Sequence, residues 1–295
     1  MARKFREDLS NYFLRLIPLP LRIKMVMFRS LKYWPNIDNP KTFNEKLAYL
    51  KLNVHDGRFP VLADKWAVRE YVRKKIGEKY LSKVYDVISN ISELNFESLP
   101  ECFVAKPTNR SGEAYFVKNK AKLNKKHFIR TLNNWLNSKY ESGIIHGEWW
   151  YANIPPKVMF EEWLTDDEYR IPLDFKFYVF NGRVQAIQVD FDRFTHHKIN
   201  FYTREWKQFP FRKGNRPNKA IDPEKIRPAK LEEMIALAEM LADNFDFVRV
   251  DLYYLFNTHR IVFGEMTFTP GSGYSPFTPM YYDWKFGKLW HIQER

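Results

Sequence analysis

The chain has 295 residues, 45% of them hydrophobic and 17% aromatic, enough to bury a real core and too apolar for a disordered polymer. Lysine and arginine number 48 against 35 aspartate and glutamate, a formal charge of +13 that asks for an acidic partner. The single cysteine, Cys102 in the run CFVAK, excludes an internal disulfide framework and reads as a buried core thiol of a reducing compartment. No secretory leader is evident, and no run approaches the roughly 20 apolar residues a spanning helix needs. The expectation is a cytoplasmic protein.

In chain order, residues 1 to 35 come first, with eight lysines and arginines against Glu7 and Asp8. Phe5, Leu9, Phe13, Leu16 and Ile17 fall at helical spacing opposite Arg3, Lys4, Arg6 and Arg15. A basic amphipathic helix of that kind either lies on an anionic bilayer or packs on the protein with its charges solvated. In NPKTFNEKLAYLKL, Thr42 and Glu45 form a capping box that opens a helix. Another helix is expected over about Leu62 to Ile76, closed by Gly77.

The pattern then turns to short strands. YLSKVY, CFVAK and YFVKN are interrupted by a helix near Ser92 and followed by one over Lys125 to Ser138. KVMFEEWL and FKFYVFNGRVQAIQVDF supply three more strands, with Asn181-Gly182 as a tight hairpin turn. Within them Asp174, Lys176 and Tyr178 alternate with Phe175, Phe177 and Val179, a polar face against an apolar one. A helix over Pro228 to Asp243 precedes two last strands, Val248 to Leu255 and Arg260 to Thr267. The sum is an α+β chain with mostly antiparallel sheets.

That last hairpin holds the most pointed chemistry. Arg249, Asp251 and Tyr253 share one face of the first strand, and Phe263, Glu265 and Thr267 share one face of the second. A register that sets Asp251 beside Glu265 costs about 4 kcal/mol of repulsion at 4 Å and an effective dielectric near 20. A shared proton, a salt bridge to Arg249 or a hard divalent cation would offset it. Earlier in the chain, Lys106 ends a strand beside a loop with Ser111 and Gly112, a setting that can hold a polyphosphate.

Together NPKTFNEKLAYLKL, LADKWAVREYV, FVAKP followed by SG, FEEWL, DFKFYVFNG, QVDFDRFTHHKINFY, FVRVDLY and FGEMTFTPGSG resemble the ATP-grasp superfamily. The nearer likeness is to its TupA-like group from bacterial surface-polysaccharide gene clusters. The resemblance implies a helical basic N-terminal segment (1–60), N-terminal and lid subdomains (61–160) and a C-terminal subdomain with the metal hairpin (161–295). ATP would be held between two α+β subdomains. Lys106 and Lys176 would then meet phosphates, Glu161, Glu162, Trp163 and Leu164 would form the adenine hinge, and Ser111 and Gly112 would belong to the lid. Arg249 would face the transferring phosphoryl, and Asp251, Glu265 and Thr267 would hold Mg²⁺ or Mn²⁺. Two departures bear on this: PTNRSGEAY is poorer in glycine than the CNHGSG type of loop, and Thr267 stands where an asparagine is common.

The implied activity is a carboxylate-amine ligase of capsule or surface-polysaccharide biosynthesis. A uronic acid or anionic glycan would be activated as an acyl phosphate and attacked by an amino acid or other amine. Asp192, Arg193, His196, His197 and Lys198 are the candidate substrate contacts, and a place at the inner membrane face suits such a substrate. Two other readings stay open. Asp190 and Asp192 resemble the Asp-x-Asp motif of metal-dependent glycosyltransferases, and the basic charge alone fits a non-catalytic polyanion- or membrane-surface-binding protein. Nucleic acid has no motif in its favour.

Overall fold

The structure, a computed structural model, describes residues 16–138, 140–169, 171–193 and 195–292. Phe5, Leu9, Phe13 and the cations Arg3, Lys4, Arg6 and Arg15 of the expected basic helix lie outside the described residues.

Helix α1, Leu19–Leu31, turns Ile23, Met27 and Leu31 inward against Ile37 and Ala48. Helix α2, Phe43–Asn53, begins with the expected capping box: Thr42 Oγ1 accepts from the Glu45 N–H at 3.2 Å, and the Glu45 carboxylate accepts from the Thr42 N–H at 3.0 Å. In place of one helix over Leu62 to Ile76 there are two, α3 (Arg58–Ala63) and α4 (Val68–Lys75). The break is chemical. Asp64 Oδ1 accepts the N–H groups of Trp66 and Ala67, and the Lys65 N–H is drawn to the Thr108 carbonyl at 3.1 Å, so the ladder cannot run through. Gly77, at φ +102°, ends α4 as expected.

Strands β1 (Val84–Ile88), β2 (Phe103–Pro107), β3 (Tyr115–Val117) and β4 (Val158–Glu161) make an antiparallel sheet in the order β1-β4-β2-β3. Phe128 and Leu132 of helix α5 (Lys125–Leu136) join Phe103 and Phe160 in its core. Cys102, one residue outside β2, is exposed, contrary to the expected core thiol: the inward positions go to Phe103 and Ala105.

After the short helix α6 (Glu141–Ile145), strands β5 (Leu173–Phe180), β6 (Arg183–Phe191) and β7 (Lys198–Tyr202) enter the larger sheet. The small strand β8 (Arg212–Lys213) and helix α7 (Leu231–Leu241) precede β9 (Phe247–Leu255) and β10 (Arg260–Thr267), and the order is β10-β9-β5-β6-β7. Asn181 and Gly182, at φ +46° and +77°, make the tight turn between β5 and β6. Phe175, Phe177 and Val179 lie in the main core with α7, and the opposite face is not solvated either, since Asp174, Lys176 and Tyr178 are all buried. Strand β11 (Phe277–Thr278) pairs with β8, and helix α8 (Tyr281–Leu289) returns to the start of α2.

That return is close. A Cβ built on Gly287 would stand 2.1 Å from the Lys41 carbonyl oxygen and 2.8 Å from the Thr42 carbonyl carbon. In an open helix Gly→Ala gains up to about 1 kcal/mol. Here the added methyl meets backbone, so Gly287→Ala should destabilise by about 2 kcal/mol or more in urea unfolding, the sign opposite to propensity.

Candidate functional site

Three transverse rows on the covered face of the larger sheet bring the polar residues together. Backbone pairing sets Lys176 beside both Gln188 and Asp251, and Asp251 beside Glu265, so one row reads Gln188, Lys176, Asp251, Glu265. A second holds Tyr178, Arg249 and Thr267, and a third Asp190, Asp174 and Tyr253. The expected register of the acids is therefore observed. One expectation fails: Phe263 does not share a face with Glu265. It pairs with Leu252 and lies in the core, because Gly264 is an extra residue that shifts the register between Phe263 and Glu265. A Cβ on Gly264 would come within 3.0 Å of the Asp251 carbonyl oxygen and 3.2 Å of the Tyr253 ring.

What offsets the repulsion between Asp251 and Glu265 is Arg249. Its Nε donates to Asp251 Oδ1 at 2.6 Å, while one terminal nitrogen donates to Asp251 Oδ2 at 2.6 Å, Thr267 Oγ1 at 2.9 Å and Glu265 Oε1 at 3.1 Å. Behind it the Lys176 ammonium sits between Asp174 Oδ2 at 2.5 Å and Asp251 Oδ2 at 2.6 Å, with Asp190 Oδ2 at 3.9 Å. Arg193 reaches Asp174 at 2.7 Å, and His197 Nε2 lies 3.3 Å from Asp190.

Charge follows from this packing. Burial works against the Lys176 cation, yet Asp174, Asp251 and Asp190 raise it well above an ordinary lysine. Burial likewise opposes the Glu265 anion, but Lys65, Arg249 and Lys176 bring it down to about 2. Burial pushes Asp251 up to about 6 against the pull of Arg249 and Lys176, with Asp174 and Glu265 adding to the push.

The smaller sheet contributes one lysine. Lys106 pairs with Glu161, which also accepts from Ser82 Oγ at 2.7 Å. Burial disfavours the charged lysine, and Glu161, Tyr253 and Glu265 more than restore it, which places Lys106 within electrostatic reach of the acidic hairpin. Glu162 is turned elsewhere, to Arg260 at 2.6 Å and the Lys83 N–H at 2.7 Å. The Trp163 ring meets Phe116 at 5.4 Å, and Leu164 is half-buried. Ser111 and Gly112 form an exposed loop tip, whereas Thr108, Asn109 and Arg110 just before it are buried and Lys65 donates to the Arg110 carbonyl.

The segment QVDFDRFTHHK divides. Arg193 and His197 join the cluster, His196 is exposed, Lys198 pairs with Phe191 at the strand edge, and Asp192, at φ +52°, turns out to Lys219 at 3.0 Å. Asp190 points the other way, buried and bound by Gln188 at 2.6 Å. The Asp190/Asp192 pair thus does not converge on one point.

Sequence reasoning gave no role to Asp174, Lys65 or Lys213. Asp174 was legible from its alternation with Lys176. Lys213 carries no pattern: it is buried over the rings of Phe43, Tyr178 and Phe277 and donates to the Tyr178 hydroxyl at 3.2 Å. Tyr178 in turn donates to Gln188, completing a chain to Asp190. The loop after β10 is also braced, since Glu148 accepts from Thr269 at 2.5 Å and Ser272 at 2.9 Å, and the buried Lys51 donates to the Ser272 carbonyl at 2.8 Å.

Among the described residues no group of three or more His, Cys, Asp or Glu side chains is arranged for a metal ion. The donor chemistry nevertheless suits a hard cation. Asp251, Glu265 and Thr267 offer adjacent oxygens, the Glu265 side chain is 32% exposed, and Asp174 Oδ1 is buried without a hydrogen bond. Arg249 now occupies the acids such an ion would bind.

Comparison with known proteins gives one family, described as TupA-like ATPgrasp, matching residues 45–291. No curated protein matches the chain. Among solved structures it is similar to D-alanine–D-alanine ligase from Bacillus anthracis complexed with ATP, at 15% identity over 70% of this chain and 55% of that one, TM-score 0.41. It is also similar to an L-amino acid ligase from Bacillus licheniformis, at 13% identity over 85% and 56%, TM-score 0.44. A third is the ATP-grasp ligase PsnB complexed with minimal precursor, Mg and ADP, at 13% over 76% and 57%, TM-score 0.37. The chain spans about half the length of these structures.

Two outcomes follow from the site. Gly264→Val should disturb the pairing of Glu265 with Asp251 and lower stability by about 1–3 kcal/mol, read by urea unfolding. Burial, helped by Arg249, lowers Lys213 to about 7 from an ordinary lysine's 10.5. The folded state therefore binds fewer protons than the unfolded chain between these values, and stability contributed by this group rises with pH across that window, by up to about 1.4 kcal/mol per unit. The stability difference between wild type and Lys213→Met should shift in favour of wild type from pH 7 to pH 9.

Proposed function

The chain belongs to the TupA-like ATP-grasp family, and on that premise we propose that it is an ATP- and Mg²⁺-dependent carboxylate-amine ligase. The observation that carries the reading is the Arg249, Asp251, Glu265 and Thr267 group on adjacent strands, backed by Lys176 and within electrostatic reach of Lys106. Asp251, Glu265 and Thr267 would hold the ion, Mg²⁺ or Mn²⁺, which supplies charge neutralisation at the nucleotide phosphates.

Freed from its acids, Arg249 would turn its planar donor fork to the transferring phosphoryl group. Lys106 and Lys176 would stabilise the charge that develops there. Glu161 through Leu164 run along the strand end where an adenine edge would lie. The exposed tip at Ser111 and Gly112 would close over the acyl phosphate, which must be kept from water.

The carboxylate is read as that of a uronic acid or anionic surface glycan, and the nucleophile as the amine of an amino acid. The basic charge of the chain and the position of Arg193 and His197 beside the cluster support this. Such glycans are assembled at the inner membrane face, where the enzyme would act as a peripheral protein.

Phosphate release from ATP with Mg²⁺, glucuronate and a panel of amino acids tests the reading. Release should require both carboxylate and amine, fall about a hundredfold or more in Asp251→Asn, and survive Asp192→Ala. Turnover of a UDP-sugar that needs Asp190 and Asp192, with no ATP consumed, would overturn it.

A further inference from the structure

Helix α1 carries more apolar surface than it buries. Leu21, Met25 and Phe28 are 45%, 44% and 51% exposed, although Ile23, Met27 and Leu31 of the same helix are fully used in the core. At about 100° per residue the three outward side chains fall within an arc of roughly 60°. Trp34 extends the stripe: it is 56% exposed, and its ring tilts against Phe28 at 5.9 Å. Leu16, at 69% exposed, lies just before the helix.

The rim is basic. On the same helical geometry Lys24 and Arg29 flank the stripe on opposite sides, and exposed Lys32 stands at its end. Residues 19 to 38 hold Arg22, Lys24, Arg29 and Lys32 against one acid, Asp38, which pairs with Lys24 at 3.3 Å. No acid lies on the helix itself.

We infer that this face is a docking surface for an anionic lipid bilayer, with Leu21, Met25, Phe28 and Trp34 entering the headgroup boundary and Lys24, Arg29 and Lys32 meeting lipid phosphates. Charge selects this occupant. A second copy of the chain would bring one basic rim onto another, whereas an apolar layer bounded by anionic headgroups complements both parts. The indole of Trp34 suits the interface, with an apolar ring and a polar N–H. Because α1 packs through Ile23 and Met27 on Ala48 and Tyr274, the docked face would sit directly behind the loop that follows β10. Nothing in this surface depends on the ligase reading.

Co-sedimentation of the full chain with vesicles of phosphatidylcholine, alone or mixed with phosphatidylglycerol, tests the assignment. Wild type should pellet with the anionic vesicles and not with the neutral ones, and added salt should weaken the binding. Met25→Glu combined with Phe28→Glu should lower partitioning by about a hundredfold or more, with circular dichroism unchanged. If the double variant does not fold, Trp34→Ser alone should still reduce binding several-fold. Failure of wild type to bind anionic vesicles, or equal binding by the folded variants, overturns the assignment. So does a wild-type dimer in sedimentation that the variants dissociate, which would give the face to a second copy.

Discussion

The structure turns on one ammonium group. Lys176 lies buried between Asp174 and Asp251, within 2.6 Å of each, and makes it possible for three strands to present carboxylates on one enclosed face. Without it Asp174, Asp190 and Asp251 would be like charges in a medium that screens them poorly, and the sheet would have to open or take up protons. Arg249 repeats the arrangement one step along, joining Asp251 to Glu265 and Thr267. Lys176 and Arg249 therefore tie together acids that pairing sets side by side on β6, β5, β9 and β10, and each group depends on its neighbours. Removing one partner leaves a buried charge uncompensated, which costs more than the pair contributes.

The ion pairs of this network stand in for the proposed ligands. Every cation in it that could serve a phosphate is held by a carboxylate, and the carboxylates that could serve a metal are held by Arg249. Binding a metal-nucleotide complex would exchange one set of opposite charges for another of the same sign pattern, so the site need not pay for bare desolvation in either state. The surrounding braces keep the exchange local. Glu148 and Lys51 fix the loop after β10 through Thr269 and Ser272, Asp64 caps the start of α4, and Lys65 ties the α3–α4 junction to the carbonyls of Thr108 and Arg110.

Much of this was legible where local chemistry decides conformation. Thr42 and Glu45 announce a capping box, Asn181-Gly182 a hairpin turn, and the two-residue period sorts Asp174, Lys176 and Tyr178 from Phe175 and Phe177. The turn between their strands places Asp251 near Glu265 but does not pair them: its own register would set Asp251 opposite Gly264, and the extra residue there brings Glu265 into line. What stayed hidden needed knowledge of partners far along the chain. Gly264 looks like any strand glycine until the Asp251 carbonyl is found beside it. Asp64 breaks a helix because residues 65 and 108 meet. Cys102 sits among apolar residues yet faces out, since Phe103 takes the inward place. Lys213 could not be read as buried, because the aromatic rings around it come from β5, β11 and the start of α2.

The proposed metal-nucleotide site consists of these acids with Arg249 and Lys176. Thermal unfolding with ATP or UDP-glucose, each with and without Mg²⁺, on wild type and Asp251→Ala, tests it most directly. A ligand at 100 times its dissociation constant adds about 2.7 kcal/mol, which is readily seen. Stabilisation by ATP should require Mg²⁺ and vanish in Asp251→Ala; stabilisation by UDP-glucose alone, or by ATP equally in the variant, would rule the site out.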